Sequence, residues 1–176
     1  MSFIVRSSNP DSDEDCAGIA AAIDVAFVEG DSWFKKNNCK HRCETGDTIK
    51  SILTAETCST FLLAENQDGK ILGALRVDWN EETNIGHFGM LGVPSANAGQ
   101  GIGKALVAAT ILFLKDEKSQ TEIQMPVVAT RNERLIAWYE GQGFKCIGDI
   151  FPFPAPEIML EEYVGKIDMV QMRREL

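Results

Sequence analysis

The stretch Val93-Pro-Ser-Ala-Asn-Ala-Gly-Gln-Gly-Ile-Gly-Lys-Ala-Leu106 joins a glycine-broken strand to an apolar helix. A Gly-rich turn from strand into helix can hold phosphate. Its backbone N–H groups point outward, the helix start is positive, and glycine lets a ligand approach closely. Two familiar phosphate loops are excluded by spacing. A nucleotide-triphosphatase loop needs Gly five places before its Gly-Lys pair and a hydroxyl after it, but Ala98 and Ala105 stand there. A dinucleotide loop needs a third glycine at the sixth position, and Lys104 or Leu106 occupies it, depending on the frame.

The same stretch resembles the acetyl-CoA loop of the GNAT N-acetyltransferase superfamily. That loop reads Arg/Gln-x-x-Gly-x-Gly/Ala after a strand ending in Val or Ile. Val93 ends the strand here, and Gly101 and Gly103 fall on the two glycine positions. Ala98 takes the Arg/Gln position and departs from the pattern. The resemblance implies mostly backbone contacts to pyrophosphate from Gly99 to Lys104, Ile102 included, with Gln100 and Lys104 available to replace the missing side chain. A second block, Asn132-Glu-Arg-Leu-Ile-Ala-Trp-Tyr-Glu-Gly-Gln-Gly-Phe144, resembles the family's later helix at Asn132, Ala137, Tyr139, Gly143 and Phe144. The resemblance implies acetyl-CoA as co-substrate and an amine, small-molecule or peptide, as acceptor.

The rest of the chain agrees in order. Phe3–Arg6 reads as a strand, and Ser12 as the cap of a helix with Ile19, Ile23, Ala26 and Phe27 on one face. Asp47 is expected to cap a second helix. Residues 61–65 and 70–77 read as a hairpin around Asn66-Gln-Asp-Gly69. Residues 85–93 form a strand in which Gly86, Gly89 and Gly92 imply a bulge or a close approach by something else. A helix from the glycine loop, a strand at 122–129, a helix at 132–142 and strands at 144–151 and 166–173 follow. The expectation is one mixed α/β domain over 1–176, with a mostly antiparallel sheet flanked by helices and splayed at the cofactor site.

The chemistry assigns further roles. The resemblance places pantetheine where the 85–93 strand parts from 122–129. Pro126 supports a splay or marks a simple bulge. Backbone N–H groups near Met90 and Leu91 would polarise the thioester carbonyl. Tyr139 shares an inward helix face with Leu135 and Ile136. By its spacing alone it reads as a core tyrosine with its hydroxyl bonded to backbone, and the resemblance to the family implies instead that its phenol protonates the leaving thiolate. His87 is the candidate base for the amine, or a histidine packed in the sheet; Glu81 and Glu82 could act through water. Trp33 and Phe34 would line the acceptor site or pack on a helix end. Cys39, His41 and Cys43 do not have zinc-site spacing, so no metal is expected. Cys146 has no nearby His in sequence, which argues against an acyl-enzyme. Two rival readings stay open: an inactive acyl-CoA-binding sensor, and an acyltransferase with another acyl group or acceptor.

Composition bounds the partners. The 176 residues carry a net charge of −9, which argues against a general nucleic-acid binder. The charge is uneven, because residues 31–50 hold five Lys/Arg against three Asp/Glu. No stretch is long enough to span a bilayer, and the start lacks the apolar core of a secretory signal. Five scattered cysteines fit a reducing cytosol. A homodimer is left open.

Overall fold

The structure, a computed structural model, describes residues 2–30, 45–55, 57–129 and 133–176. Trp33, Phe34, Cys39, His41, Cys43 and Asn132 lie outside these residues. Helix α1 (Asp13–Gly30) begins as expected. The Ser12 hydroxyl accepts the Asp15 N–H at 3.1 Å, which satisfies a donor that has no partner inside the helix. Helix α2 (Gly46–Ala55) starts differently. Thr45 is its cap, taking the Thr48 N–H on its hydroxyl at 3.3 Å. Asp47 instead sits in the first turn, where its charge complements the positive helix end.

Among the described residues seven strands make one sheet: β1 (Phe3–Ser7), β2 (Ser59–Asn66), β3 (Ile71–Asn80), β4 (Ile85–Gly92), β5 (Glu122–Val128), β6 (Lys145–Pro152) and β7 (Asp168–Glu175). Their order is β1-β2-β3-β4-β5-β7-β6. Every pair is antiparallel except β4 with β5. Two further helices, α3 (Ile102–Leu112) and α4 (Glu133–Glu140), complete the mixed α/β architecture. One face of the sheet buries Leu106, Val107 and Leu114 against Ile123, Met125 and Phe144. The other buries Ile19 and Ile23 of α1 and Ile49 of α2 against Phe61, Leu63 and Ala74. Strand β2 is therefore buried on both faces, and its apolar run lacks the alternation of a half-exposed strand. A third cluster, Phe153, Met159, Ile167 and Met169, fills the connection between β6 and β7.

The parallel pairing of β4 and β5 covers Ile85–Glu122, Gly86–Ile123 and His87–Gln124, and stops there. Both strands continue, so the sheet splits at its centre. Beyond the split β5 keeps β7 as a partner through Val128. Pro126 lies in the split, and its register against β7 passes without a shift, so it is no bulge. It has no N–H to leave unsatisfied where the ladder opens.

The three glycines of β4 have different jobs. A Cβ on Gly92 would stand 2.7 Å from the Cα of Ile23, so this glycine lets α1 lie on the sheet. A Cβ on Gly86 would stand 2.6 Å from Leu114 Cδ1. Those two serve packing. At Gly89 a Cβ would meet nothing within 4 Å, and only this glycine opens toward ligand space.

Candidate active site

A cavity of about 770 Å³ opens where β4 and β5 part. Its floor is Phe88–Leu91 of β4 and Met125–Val128 of β5, with Leu135 and Tyr139 of α4 above. Ala26 and Phe27 of α1, Phe151 of β6 and Phe153–Ala155 after it, and Met169 and Gln171 of β7 extend it to one side. When this central parallel pair opens, each strand keeps a neighbour on its outer edge, β3 for β4 and β7 for β5.

The floor carries the expected bulge. Arg76 pairs with Gly89 and Ala74 with Gly92, so β4 spends one more residue than β3 over this interval. The strained residue is Met90, with φ of 50°, and no glycine takes that position. Neither Met90 nor Leu91 has a register partner in β3 or β5. Both residues line the cavity at the bulge, a place where a strand can turn backbone N–H groups toward a ligand carbonyl.

The glycine loop approaches the same cavity from the end of β4. Asn97 anchors the turn ahead of the loop by donating its side-chain amide to the Leu72 carbonyl at 3.0 Å. Ala98 donates its own N–H to the Ser95 carbonyl at 3.0 Å. Gly99 and Gly101 have φ of 74° and 81°, and a Cβ on either would enter open space. The first α3 bond runs from the Ala105 N–H to the Gly101 carbonyl at 2.9 Å. No side chain caps this helix, so the N–H groups of Ile102, Gly103 and Lys104 lack an intrahelical acceptor. Lys104 is exposed in this first turn, and Gln100 is exposed in the loop. Gly103 packs on Trp138 of α4, its Cβ direction ending 3.6 Å from the indole. Val93 lies half-buried beside it. The set fits a pyrophosphate: positive helix end, outward N–H groups, and no side chain in the way.

Tyr139 is 6% exposed and sits among aromatic rings, with centroids of Trp138, Phe144 and Phe88 at 4.7, 5.9 and 6.0 Å. Its hydroxyl finds no hydrogen-bond partner among the described residues. Burial pushes the phenol well above its ordinary value, so it stays protonated.

His87 has a different setting. It is exposed on β4, and its Nδ1 lies 3.0 Å from the Gln124 carbonyl, which makes Nδ1 the protonated nitrogen and leaves Nε2 free. It does not line the cavity, but it stands two residues along β4 from Gly89, about 7 Å away. Glu81 and Glu82 lie in the exposed β3–β4 turn. They sit beyond Ile85, itself about 13 Å of strand from Gly89. The cavity thus brings together Met90, Leu91 and Tyr139, and leaves the three proposed proton acceptors outside. Sequence reasoning did not single out Met125, Val127 or Gln171, because their role depends on strand order. Among the described residues no cluster of His, Cys, Asp or Glu is arranged to hold a metal ion. No helix among them is long and apolar enough to cross a membrane.

Residues 26–144 match the Acetyltransferase (GNAT) family, and the chain belongs to that family. It is similar to a mycothiol acetyltransferase of Paenarthrobacter aurescens, 30% identical over 147 residues, which are 73% of this chain and 44% of that protein. It is also similar to N-acetyltransferase 8B of Homo sapiens, 33% identical over 131 residues, 71% of this chain and 55% of that one. The chain therefore spans about half the length of these two relatives. An acetyltransferase of the GNAT family from Streptococcus pneumoniae shares the fold, with a TM-score of 0.76 and 21% identity over 99% of this chain and 100% of that one.

Proposed function

We propose that the chain transfers acetyl from acetyl-CoA to an amine by direct attack within a ternary complex. One observation carries this reading: one cavity is lined by both strands of the split sheet, by Met90 and Leu91 at the bulge, and by Tyr139. The uncapped start of α3 and the loop from Gly99 to Lys104 would hold the pyrophosphate. Acetyl-CoA supplies the acetyl thioester when bound. The Met90 and Leu91 N–H groups then stabilise the charge that develops on the carbonyl oxygen. The Tyr139 hydroxyl donates its proton to the departing sulfur.

The acceptor amine must lose a proton, and His87 Nε2 accepts it through water across the rim at Gly89. His87→Ala is expected to shift the acidic limb of the kcat/KM–pH profile and lower its plateau about tenfold. A profile identical to wild type would remove this role. Direct transfer is favoured over an acyl-enzyme because none of the described cysteines lines the cavity. The exposed Cys146 thiol is also pushed up, mainly by desolvation, which weakens it as a nucleophile.

The test is thiol release from acetyl-CoA across amine classes, with Tyr139→Phe as control. Binding of acetyl-CoA without turnover on any amine would favour the sensor reading, to which Ala98 at the Arg/Gln position gives support. The loop has its own test. Alanine at Gly101 must adopt φ of 81°, at a cost of about 1–2 kcal/mol. Gly101→Ala is expected to lower acetyl-CoA affinity about tenfold in titration calorimetry, with the fold intact.

A further inference from the structure

The acceptor side of the cavity is chemically one-sided. Phe27, Val128, Phe151, Phe153 and Met169 wall it, and Gln171 is its one polar side chain apart from Tyr139 among the described residues. No charged side chain lines the cavity among those residues. Arg76, opposite Gly89 in the register, is bridged to Asp78 at 2.8 Å. Phe153 and Met169 are backed by Met159 and Ile167, so this wall is packed. Residues 31–50, which follow α1 in the chain, are net basic by sequence.

From this lining we infer that the acceptor is a monoamine on an apolar body, aryl or alkyl, and that Gln171 sets its orientation. The inference rests on the acetyl-transfer reading above and narrows its substrate class. An apolar body gains by leaving water against these walls. A second ammonium group would lose its hydration with no carboxylate among the described lining residues to receive it, which disfavours diamines and polyamines. Gln171 lines the cavity from β7, where it is the register partner of Pro126. It can accept from the amine or donate to a neutral oxygen on the acceptor. The acceptor nitrogen attacks the thioester carbon, the C–S bond breaks, the nitrogen gives up one proton, and the sulfur receives one.

The test is thiol release with saturating acetyl-CoA, comparing butylamine, hexylamine and 2-phenylethylamine with 1,4-diaminobutane and 1,6-diaminohexane. Each added methylene should raise kcat/KM about fourfold. Hexylamine should exceed 1,6-diaminohexane by about tenfold or more. Gln171→Glu should narrow that gap about tenfold, by placing a carboxylate where none stands. Equal rates for hexylamine and the diamine, or no trend with chain length, would overturn the inference while leaving acetyl transfer intact. Failure of every amine to release thiol would instead overturn the acetyl-transfer reading. Thermal stabilisation in the presence of CoA would then decide the cavity's preference alone. A larger shift with hexylamine than with 1,6-diaminohexane sustains it, and an equal or smaller shift overturns it.

Discussion

Tyr139→Phe is expected to lower kcat about 100-fold while leaving acetyl-CoA affinity within about twofold of wild type. The size follows from the environment of the phenol. Its aromatic surroundings desolvate the phenolate, so the group is protonated at every working pH but is a weak acid. General acid catalysis gains least when the acid is far weaker than the task needs, which places the effect at the low end of the usual range. Removing the oxygen should disturb little else. The hydroxyl has no partner among the described residues, so no donor or acceptor there is orphaned, and the ring keeps its contacts with Trp138 and Phe144. Stability should stay within about 0.5 kcal/mol of wild type. Because Tyr139 does not ionise in the accessible range, the basic limb of the wild-type pH profile should be absent up to about pH 9. Stopped-flow measurement of thiol release, with calorimetric titration of acetyl-CoA, checks both statements. Wild-type kcat in the variant would end the assignment.

Part of the local structure around the candidate site was readable in the sequence because its signals are local. The glycines of the 99–103 loop need positive φ at two positions, and the helix after it has a plain apolar stripe. Tyr139 could be placed from its spacing to Leu135. The splay was less secure, since Pro126 allowed two explanations until the register with β7 separated them. Strand β4 was legible only in outline. Its three glycines allowed a bulge or a close approach, and both occur: Gly86 and Gly92 admit Leu114 and α1, while the strained residue of the bulge is Met90 and not a glycine. A methionine at positive φ is held there by surrounding packing, which no local propensity reports. The acceptor wall was largely hidden for a similar reason. Phe27, Val128, Phe151 and Met169 come from four elements, and only the long-range order β4-β5-β7-β6 brings them together. The cap of α2 shows the limit at short range: Thr45 and Asp47 are both good caps, and hydrogen bonding selects Thr45.

Arg6→Ala is expected to destabilise the fold by about 2–3 kcal/mol at neutral pH. Arg6 on β1 donates twice to Asp15 of α1, at 2.7 Å for each bond, and also reaches Glu65 on β2. Asp15 is 5% exposed and takes the Asn9 N–H at 2.8 Å as well. One guanidinium therefore ties an edge strand, its neighbour and the first helix. Removing it leaves a buried carboxylate with one backbone donor. Arg6 itself keeps about a third of its side chain in water, so solvent screens the pair, and the loss falls below that of a fully buried one. The pH dependence has a definite sign. Hydrogen bonding to Arg6, aided by the Asn9 N–H, holds the Asp15 carboxyl below its ordinary value against the opposing effect of burial. Its contribution is thus fully present above the unfolded carboxyl value of about 4 and is lost as pH falls below it. Arg6 stays charged throughout, since the same pairing pushes its pKa up. The stability difference between wild type and Arg6→Ala, from urea unfolding, should be largest near pH 7 and shrink by at least about 1 kcal/mol toward pH 3. A constant difference across that range would show that Arg6 stabilises through packing of its alkyl chain and not through its charge.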